Sequence, residues 1–293
     1  MSFQLQKSPL FAESWNVAWR KAAPGTILND KSTPFSIIEN PLRYWAADPF
    51  VVERDGKTFI FAELYDYIRC RGILGVCELV PGKKCRWEPI IVEPFHLSYP
   101  CILEQDGKIY LMPESGYHGV LLLYEAVEFP RKWRRVRTIR EGICLADTTP
   151  LTKERYLAHL VNEPMDPKLL LVDPTGQQPD MMVGGADPLC SRPAGKPFLF
   201  RSERYRPIQH SWDFLSNYGK SLVFSRWELD EAGYRESPVC EIHPEDLRYS
   251  RPIFLDGMHT YNTSPHFEVI DIKTRRFNLL NLVFRFLCKY RRF

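Results

Sequence analysis

The sequence predicts an all-β fold, a five-bladed β-propeller closed by an N-terminal strand, with a short C-terminal basic amphipathic helix. Two observations carry the prediction. The first is a repeat: "WAADPFVVERDGKTFIFAE" (Trp45 to Glu63) and "LSYPCILEQDGKIYLMPES" (Leu97 to Ser115) align so that Pro49 falls over Pro100, Asp55-Gly56-Lys57 over Asp106-Gly107-Lys108, and Glu63 over Glu114. Recurrence at a fixed period is the signature of a repeat architecture. The second is that each copy continues in the same order, giving four short strands before the pattern restarts, which is the content of one propeller blade.

The elements follow in chain order. "ESWNVAWR" (Glu13 to Arg20) is a strand with no hairpin partner nearby, so it is expected to close the last blade. In the first two repeats Asp-Gly joins two β-prone runs, because glycine supplies the positive φ of a tight hairpin turn. "GILGVCELVPGKKCRWEPI" and "GVLLLYEAVEFPRKWRRV" then each supply an apolar strand, a turn, a tryptophan (Trp87, Trp133) and a shorter strand. "LADTTPLTKERYLAHLV" starts a third copy, "CSRPAGKPFLFRSERYRPIQ" a fourth, and "DGMHTYNTS" a fifth, with starts expected near residues 48, 99, 147, 191 and 256. The expected domains are the propeller over 13–272 and the tail over 273–293. In that tail Phe277, Leu280, Phe284 and Leu287 recur at helical spacing among Arg276, Arg285, Lys289, Arg291 and Arg292. Such a face suits an anionic membrane surface, the propeller's flank or a partner protein.

Hydrophobic residues at 44% and charged residues at 26% are ordinary for a globular chain, and a net charge of +3 gives no reason to expect a nucleic-acid partner. The eight cysteines form no CxxC pair, and the N-terminus has no apolar signal region. These features predict reduced, mostly buried thiols and a cytoplasmic location, peripheral at the inner face of the membrane if the tail binds there. No run reaches the ~18 apolar residues of a membrane span.

"WAADPFVVERDGKTFIFAE", "YPCILEQDGKIYLMPES", "LLYEAVEFPRKWRRV", "LADTTPL", the "SRPAGKPFLF", "YRPIQ" and "NYG" series, and "GMHTYN" together resemble the N-terminal domain of glucosamine inositolphosphorylceramide transferase, a domain also found in bacterial proteins. The resemblance runs from about Trp15 to Asp271. It implies the five-bladed superfamily of arabinanases, β-xylosidases and levansucrases. In the plant protein the transfer chemistry is assigned to a separate C-terminal domain, so the resemblance implies a carbohydrate-linked propeller rather than a complete transferase. It also implies where acids should stand: a base or nucleophile in the first blade, matched by Asp48, and an orienting Asp in the third, matched by Asp147. The general acid expected in the fourth blade is missing, because Arg192 and Pro193 occupy its place.

Inner strands of a propeller line its central channel, which puts Asp48, Tyr99, Asp147, Arg192 and His259 at the mouth. Glycoside hydrolysis uses two carboxyl groups across the scissile bond, so Glu114 or Glu63 would have to substitute for the missing acid. Their repeated position equally fits a structural or binding role. Asp48 has a second reading as a turn cap. Arg192 and Arg206 are expected either to pair with the channel carboxylates or to grip a phosphate or uronate. Gln209 and His210 belong to the same polar cluster; Tyr99, Tyr205, Tyr218 and Trp45 offer flat faces for a sugar. His259 is a candidate ligand contact. No HExxH or Cys/His pairing indicates a metal, and no GxGxxG turn or phosphate-binding loop indicates a nucleotide cofactor.

Three functions remain open on the sequence. The first is a saccharide- or glycolipid-binding propeller of surface-glycan or glycolipid synthesis, with Asp48, Asp147 and Glu114 as catalytic candidates and Glu63, Tyr99, Arg192, Arg206, Gln209, His210 and His259 as binding candidates. The others are a glycoside hydrolase with paired carboxylates and a noncatalytic module that docks a glycosyltransferase.

Overall fold

The computed structural model describes residues 11–80, 82–161, 168–213, 218–231, 233–277 and 283. Their strands form five four-stranded sheets. In chain order, β1 (Phe11–Lys21) and β2 (Ser36–Ile37) precede blade 1, which is β3 (Tyr44–Arg54), β4 (Lys57–Asp66), β5 (Arg71–Leu79) and β6 (Glu88–Ile91). Blade 2 is β7 (Ser98–Gln105), β8 (Lys108–Glu114), β9 (Val120–Glu128) and β10 (Lys132–Glu141). Blade 3 is β11 (Leu145–Pro150), β12 (Tyr156–Leu160), β13 (Lys168–Val172) and β14 (Met181–Met182), and blade 4 is β15 (Phe198–Phe200), β16 (Glu203–His210), β17 (Ser221–Asp230) and β18 (Gly233–Ile242). Blade 5 joins both ends of the chain in the order β19 (Tyr261–Ser264), β20 (Phe267–Phe277), β1, β2.

The hairpins arise where the sequence places them. Asp55-Gly56 and Asp106-Gly107 have φ of 51° and 70°, and 51° and 74°, the paired positive values of a type I′ turn. Between blades, apolar side chains interlock: Phe50, Phe61, Tyr99, Leu111 and Leu122 belong to one buried cluster spanning blades 1 to 3. Each such burial contributes roughly 1.5–3 kcal/mol. Tyr99 is therefore a core residue, its hydroxyl bonded to Thr149 Oγ1 at 2.7 Å, and not a sugar-stacking face.

Four expectations are corrected. Two N-terminal strands, not one, complete blade 5. The regular inner strands of blades 4 and 5 begin at Phe198 and Tyr261, later than residues 191 and 256. Pro193 and Gly195 interrupt the lead-in to the fourth blade, and the Tyr261 carbonyl approaches Gly195 so closely that a Cβ there would sit 1.8 Å from it. Arg275, Arg276 and Phe277 end strand β20, pairing with Phe11, Ala12 and Glu13, and are not the start of a helix. The rest of the expected amphipathic helix lies outside the described residues, apart from Val283, which is helical. Cys70 is disulfide-bonded, so the expectation of reduced thiols does not extend to it.

Blade 5 is held shut by a buried ion pair. Glu268 of β20 accepts from Arg20 Nε of β1 at 2.8 Å, from Ile27 N at 3.0 Å and from the Tyr261 hydroxyl at 2.7 Å. Removing one partner of such a pair strands the other charge in the interior. Glu268→Ala is expected to cost roughly 3–5 kcal/mol in urea unfolding, and an unchanged midpoint would show that closure does not depend on this pair.

Candidate functional site: the channel carboxylates

The channel is built by one bulge repeated in three blades. In blade 1 Ala47 opposes Glu63 and Phe50 opposes Phe61, so Asp48 and Pro49 face a single residue of β4. Blade 2 does the same at Tyr99-Pro100 and blade 3 at Asp147-Thr148. The first bulged residue takes a left-handed φ each time: 51° at Asp48, 45° at Tyr99 and 49° at Asp147. Such a conformation is strained for a residue with a Cβ, by ~1–3 kcal/mol, and the bulge leaves its amide without a partner in its own sheet.

A carboxylate of the preceding blade takes each freed amide. Asp48 N donates to Asp271 Oδ2 at 3.0 Å, Tyr99 N to Asp48 Oδ2 at 3.2 Å, and Asp147 N to Glu114 Oε2 at 3.1 Å. Blade 4 continues the chain through side chains: Arg192 Nε and Gln209 Nε2 both reach Asp147 Oδ2, at 2.5 and 2.7 Å. Thr260 Oγ1 donates to Asp48 Oδ1 at 2.9 Å and ties blade 5 back to blade 1. The acids are thus clamps between neighbouring blades.

Arg192 also reaches Glu114 at 3.2 Å, and its guanidinium lies 5.4 Å from the centre of the half-buried Tyr218 ring. Tyr218 in turn meets His259 edge-on, and Trp15 stacks on the His259 ring at a centroid distance of 4.0 Å. Glu63 is 5% exposed, and its Oε1 has no hydrogen-bond partner. His96 Nε2 stands 3.5 Å from that oxygen. Because His96 Nδ1 accepts the Gly72 amide at 3.0 Å, the neutral ring carries its proton on the nitrogen that faces Glu63.

The structure therefore brings together Asp48, Glu114, Asp147, Arg192, Gln209 and His259. It places two other candidates elsewhere: Arg206 is paired with Glu236 of β18 at 2.5 and 2.8 Å, and His210 with Glu241 at 2.7 Å. Neither grips the channel acids. Sequence reasoning missed Asp271 and Thr260, although a single Asp inside the apolar run "FEVIDIK" was a signal available to it. Asp48, His259 and Asp271 bring three donor atoms within 4.8 Å of one another, close enough to surround a cation. Yet Asp271 already accepts His259 N, Thr260 N and Asp48 N and faces His259 Nδ1 at 2.6 Å, so an ion would have to displace these bonds. The trio fits an imidazolium held by two carboxylates better than a metal centre.

Burial, reinforced by neighbouring carboxylates, raises Asp48 to about 6 and Asp147 to about 7, against the pull of His259 and Arg192 respectively. Glu63 is pushed well above the carboxyl range by burial and by Asp48 and Glu114. For His259 burial acts downward, but Asp271 and Asp48 outweigh it and raise the imidazole. Between about pH 4 and pH 7 the folded channel holds carboxyl protons that the unfolded chain releases, so these groups lower stability as pH rises through that window. His259 acts in the same direction, since its stabilisation is lost as pH rises through its folded value. Asp173, lowered to about 2 chiefly by backbone hydrogen bonds, acts the other way: it favours the fold while ionised and loses that contribution as pH falls through its folded value. The unfolding temperature is expected to be higher at pH 5.5 than at pH 8, with Asp147→Asn reducing the difference; a midpoint that climbs steadily to pH 8 would contradict it.

The comparisons agree with this architecture. An α-L-arabinofuranosidase from Podospora anserina superposes with a TM-score of 0.58 over 89% of this chain and 97% of its own, at 7% identity. A Coprinopsis cinerea GH62 α-L-arabinofuranosidase catalytic domain gives 0.55 over 88% and 98%, at 10% identity. At such identities the likeness is one of fold. In sequence, the glucosamine inositolphosphorylceramide transferase 1 of Arabidopsis thaliana is 29% identical over 250 residues, 79% of this chain and 31% of that protein. Its namesake from Oryza sativa subsp. indica is 25% identical over 211 residues, 67% of this chain and 28% of that protein. The chain thus spans about a third of the length of these curated relatives. The model of the family described as glucosamine inositolphosphorylceramide transferase 1, N-terminal, matches residues 7–156, and the chain belongs to that family.

Proposed function

We propose that this propeller binds a saccharide at the channel mouth, against Arg192, Glu114, Glu63 and Tyr218, and serves glycolipid or surface-glycan synthesis without cleaving a glycosidic bond itself. One observation carries the reading: Asp48, Glu114 and Asp147, the acids proposed from sequence for catalysis, each already accept hydrogen bonds that clamp one blade to the next. A hydrolase needs one carboxyl group free to protonate the leaving oxygen and another free to attack or to activate water. Of the four candidate acids, Glu63 has a buried oxygen left without a hydrogen-bond partner. A single acid with an open oxygen, in a channel where Arg192 is already paired with Glu114 and Asp147, suits recognition of sugar hydroxyls better than two-carboxyl chemistry.

The named transferases are about three times as long as the region matched. This favours a second element of the same reading, that the group transfer belongs to another domain or polypeptide to which the propeller presents its saccharide. On this proposal, calorimetric titration with a panel of oligosaccharides should find a ligand whose affinity falls about 10-fold or more in Arg192→Ala, the scale of a lost charged hydrogen bond. Nitrophenyl arabinofuranosides and xylosides should remain intact. Release of nitrophenol that disappears in Asp48→Asn would overturn the proposal and establish a hydrolase.

A further inference from the structure

A second site lies away from the channel, in the crevice between the outer edges of blades 5 and 1. Its walls are the stretch from Ser36 to Pro41, the turn between β5 and β6 with Lys83, Arg86 and Trp87, and the linker residues Ser250 and Arg251, with Trp19 at the side. The space measures about 730 Å³, within the ~300–1,000 Å³ range of small-molecule sites. It runs on into a groove of about 470 Å³ that shares Asn40 and Arg251 and reaches Arg276.

The charge of this lining is one-sided. Glu39 is its single acid, and it faces Lys84 at 3.6 Å. Among the described residues no carboxylate lies within ion-pairing distance of Lys83, Arg86 or Arg251, although all three are exposed. Two further atoms on lining residues are buried and unpartnered, the indole N–H of Trp87 and the side-chain oxygen of Asn40. Trp87 itself is only 8% exposed.

We infer that this crevice binds an acidic saccharide, one that carries phosphate or carboxylate groups on a hydroxylated ring. Guanidinium and ammonium groups supply the anion contacts. Ser36, Asn40 and Ser250 also line the space, and their hydroxyl and amide groups suit a hydroxylated ring, whose groups both donate and accept. The indoles of Trp19 and Trp87 give apolar walls for the ring faces. A lipid bilayer fits less well, because a planar surface meets the rim of a crevice and leaves its recessed tryptophan untouched. The inference does not rest on the channel reading, which concerns another face of the molecule.

The test is calorimetric titration of the full chain with trigalacturonic acid, glucosamine 6-phosphate, cellotriose and inorganic phosphate, alongside co-sedimentation with phosphatidylserine vesicles. At least one acidic sugar should bind about 10-fold or more tighter than both cellotriose and inorganic phosphate. Which one does so distinguishes carboxylate from phosphate as the anchor. The double variant Arg86→Ala/Arg251→Ala should lose about 10-fold or more of that affinity while keeping the wild-type unfolding temperature, since both side chains are exposed. The inference is overturned if the acidic sugars bind no better than cellotriose or inorganic phosphate, or if the double variant binds as the wild type does. Vesicle binding lost in the double variant, with no soluble sugar bound, would overturn it in favour of a lipid contact.

Discussion

The bulged amides at Asp48, Tyr99 and Asp147 are the constraint around which the channel is organised. Extra inner-strand residues turn these N–H groups out of their own sheets into a dry interior, where an unsatisfied donor costs about 1–3 kcal/mol. Acceptors in adjacent blades meet them: Asp271, Asp48 and Glu114. A carboxylate is a strong acceptor with room for several donors. Asp48 uses that capacity to bind Thr260 and Tyr99 together, so a single side chain touches blades 5, 1 and 2. The bulge makes the need, and the carboxylate meets it across a blade boundary.

Gathering so many acids has its own consequence. Desolvation disfavours each charge, and each carboxylate raises the others. Arg192 and His259 offset part of this repulsion, standing where blades 4 and 5 lead into their inner strands. Protonation relieves more of it, which is why Asp48 and Asp147 titrate near neutrality. A shifted carboxyl is often a mark of catalysis. In this ring the shift follows from the packing of clamps against one another, and titration alone does not distinguish a working acid from a structural one.

The five-blade architecture was legible because it rests on short-range signals: Asp-Gly turns in the first two repeats, alternating strands, and a strand order that restarts along the chain. Positions 48, 99 and 147 were also legible as a set, since they share a register in the repeat. What the sequence did not disclose was which groups they would meet. Asp271 comes from the far end of the chain, and its bond to Asp48 exists only once the N-terminal strands have closed blade 5. Arg206 illustrates the opposite error. It shares strand β16 with Gln209, yet turns to Glu236 on the outermost strand, a partner that local pattern does not reveal.

Equivalence in the repeat also differs from equivalence in role. Glu63, Glu114 and His159 occupy the same register position, opposite the residue that precedes each bulge. Glu114 clamps Asp147 and meets Arg192, while His159 approaches Ser191 at 3.3 Å. Glu63 has no such neighbour for one of its oxygens, because the next bulge residue, Tyr99, gives its amide to Asp48 instead. The buried oxygen left open marks one defined point of the ring, facing the protonated nitrogen of His96. Symmetry built the position, and the departure from symmetry in blade 1 is what leaves its buried oxygen unpaired.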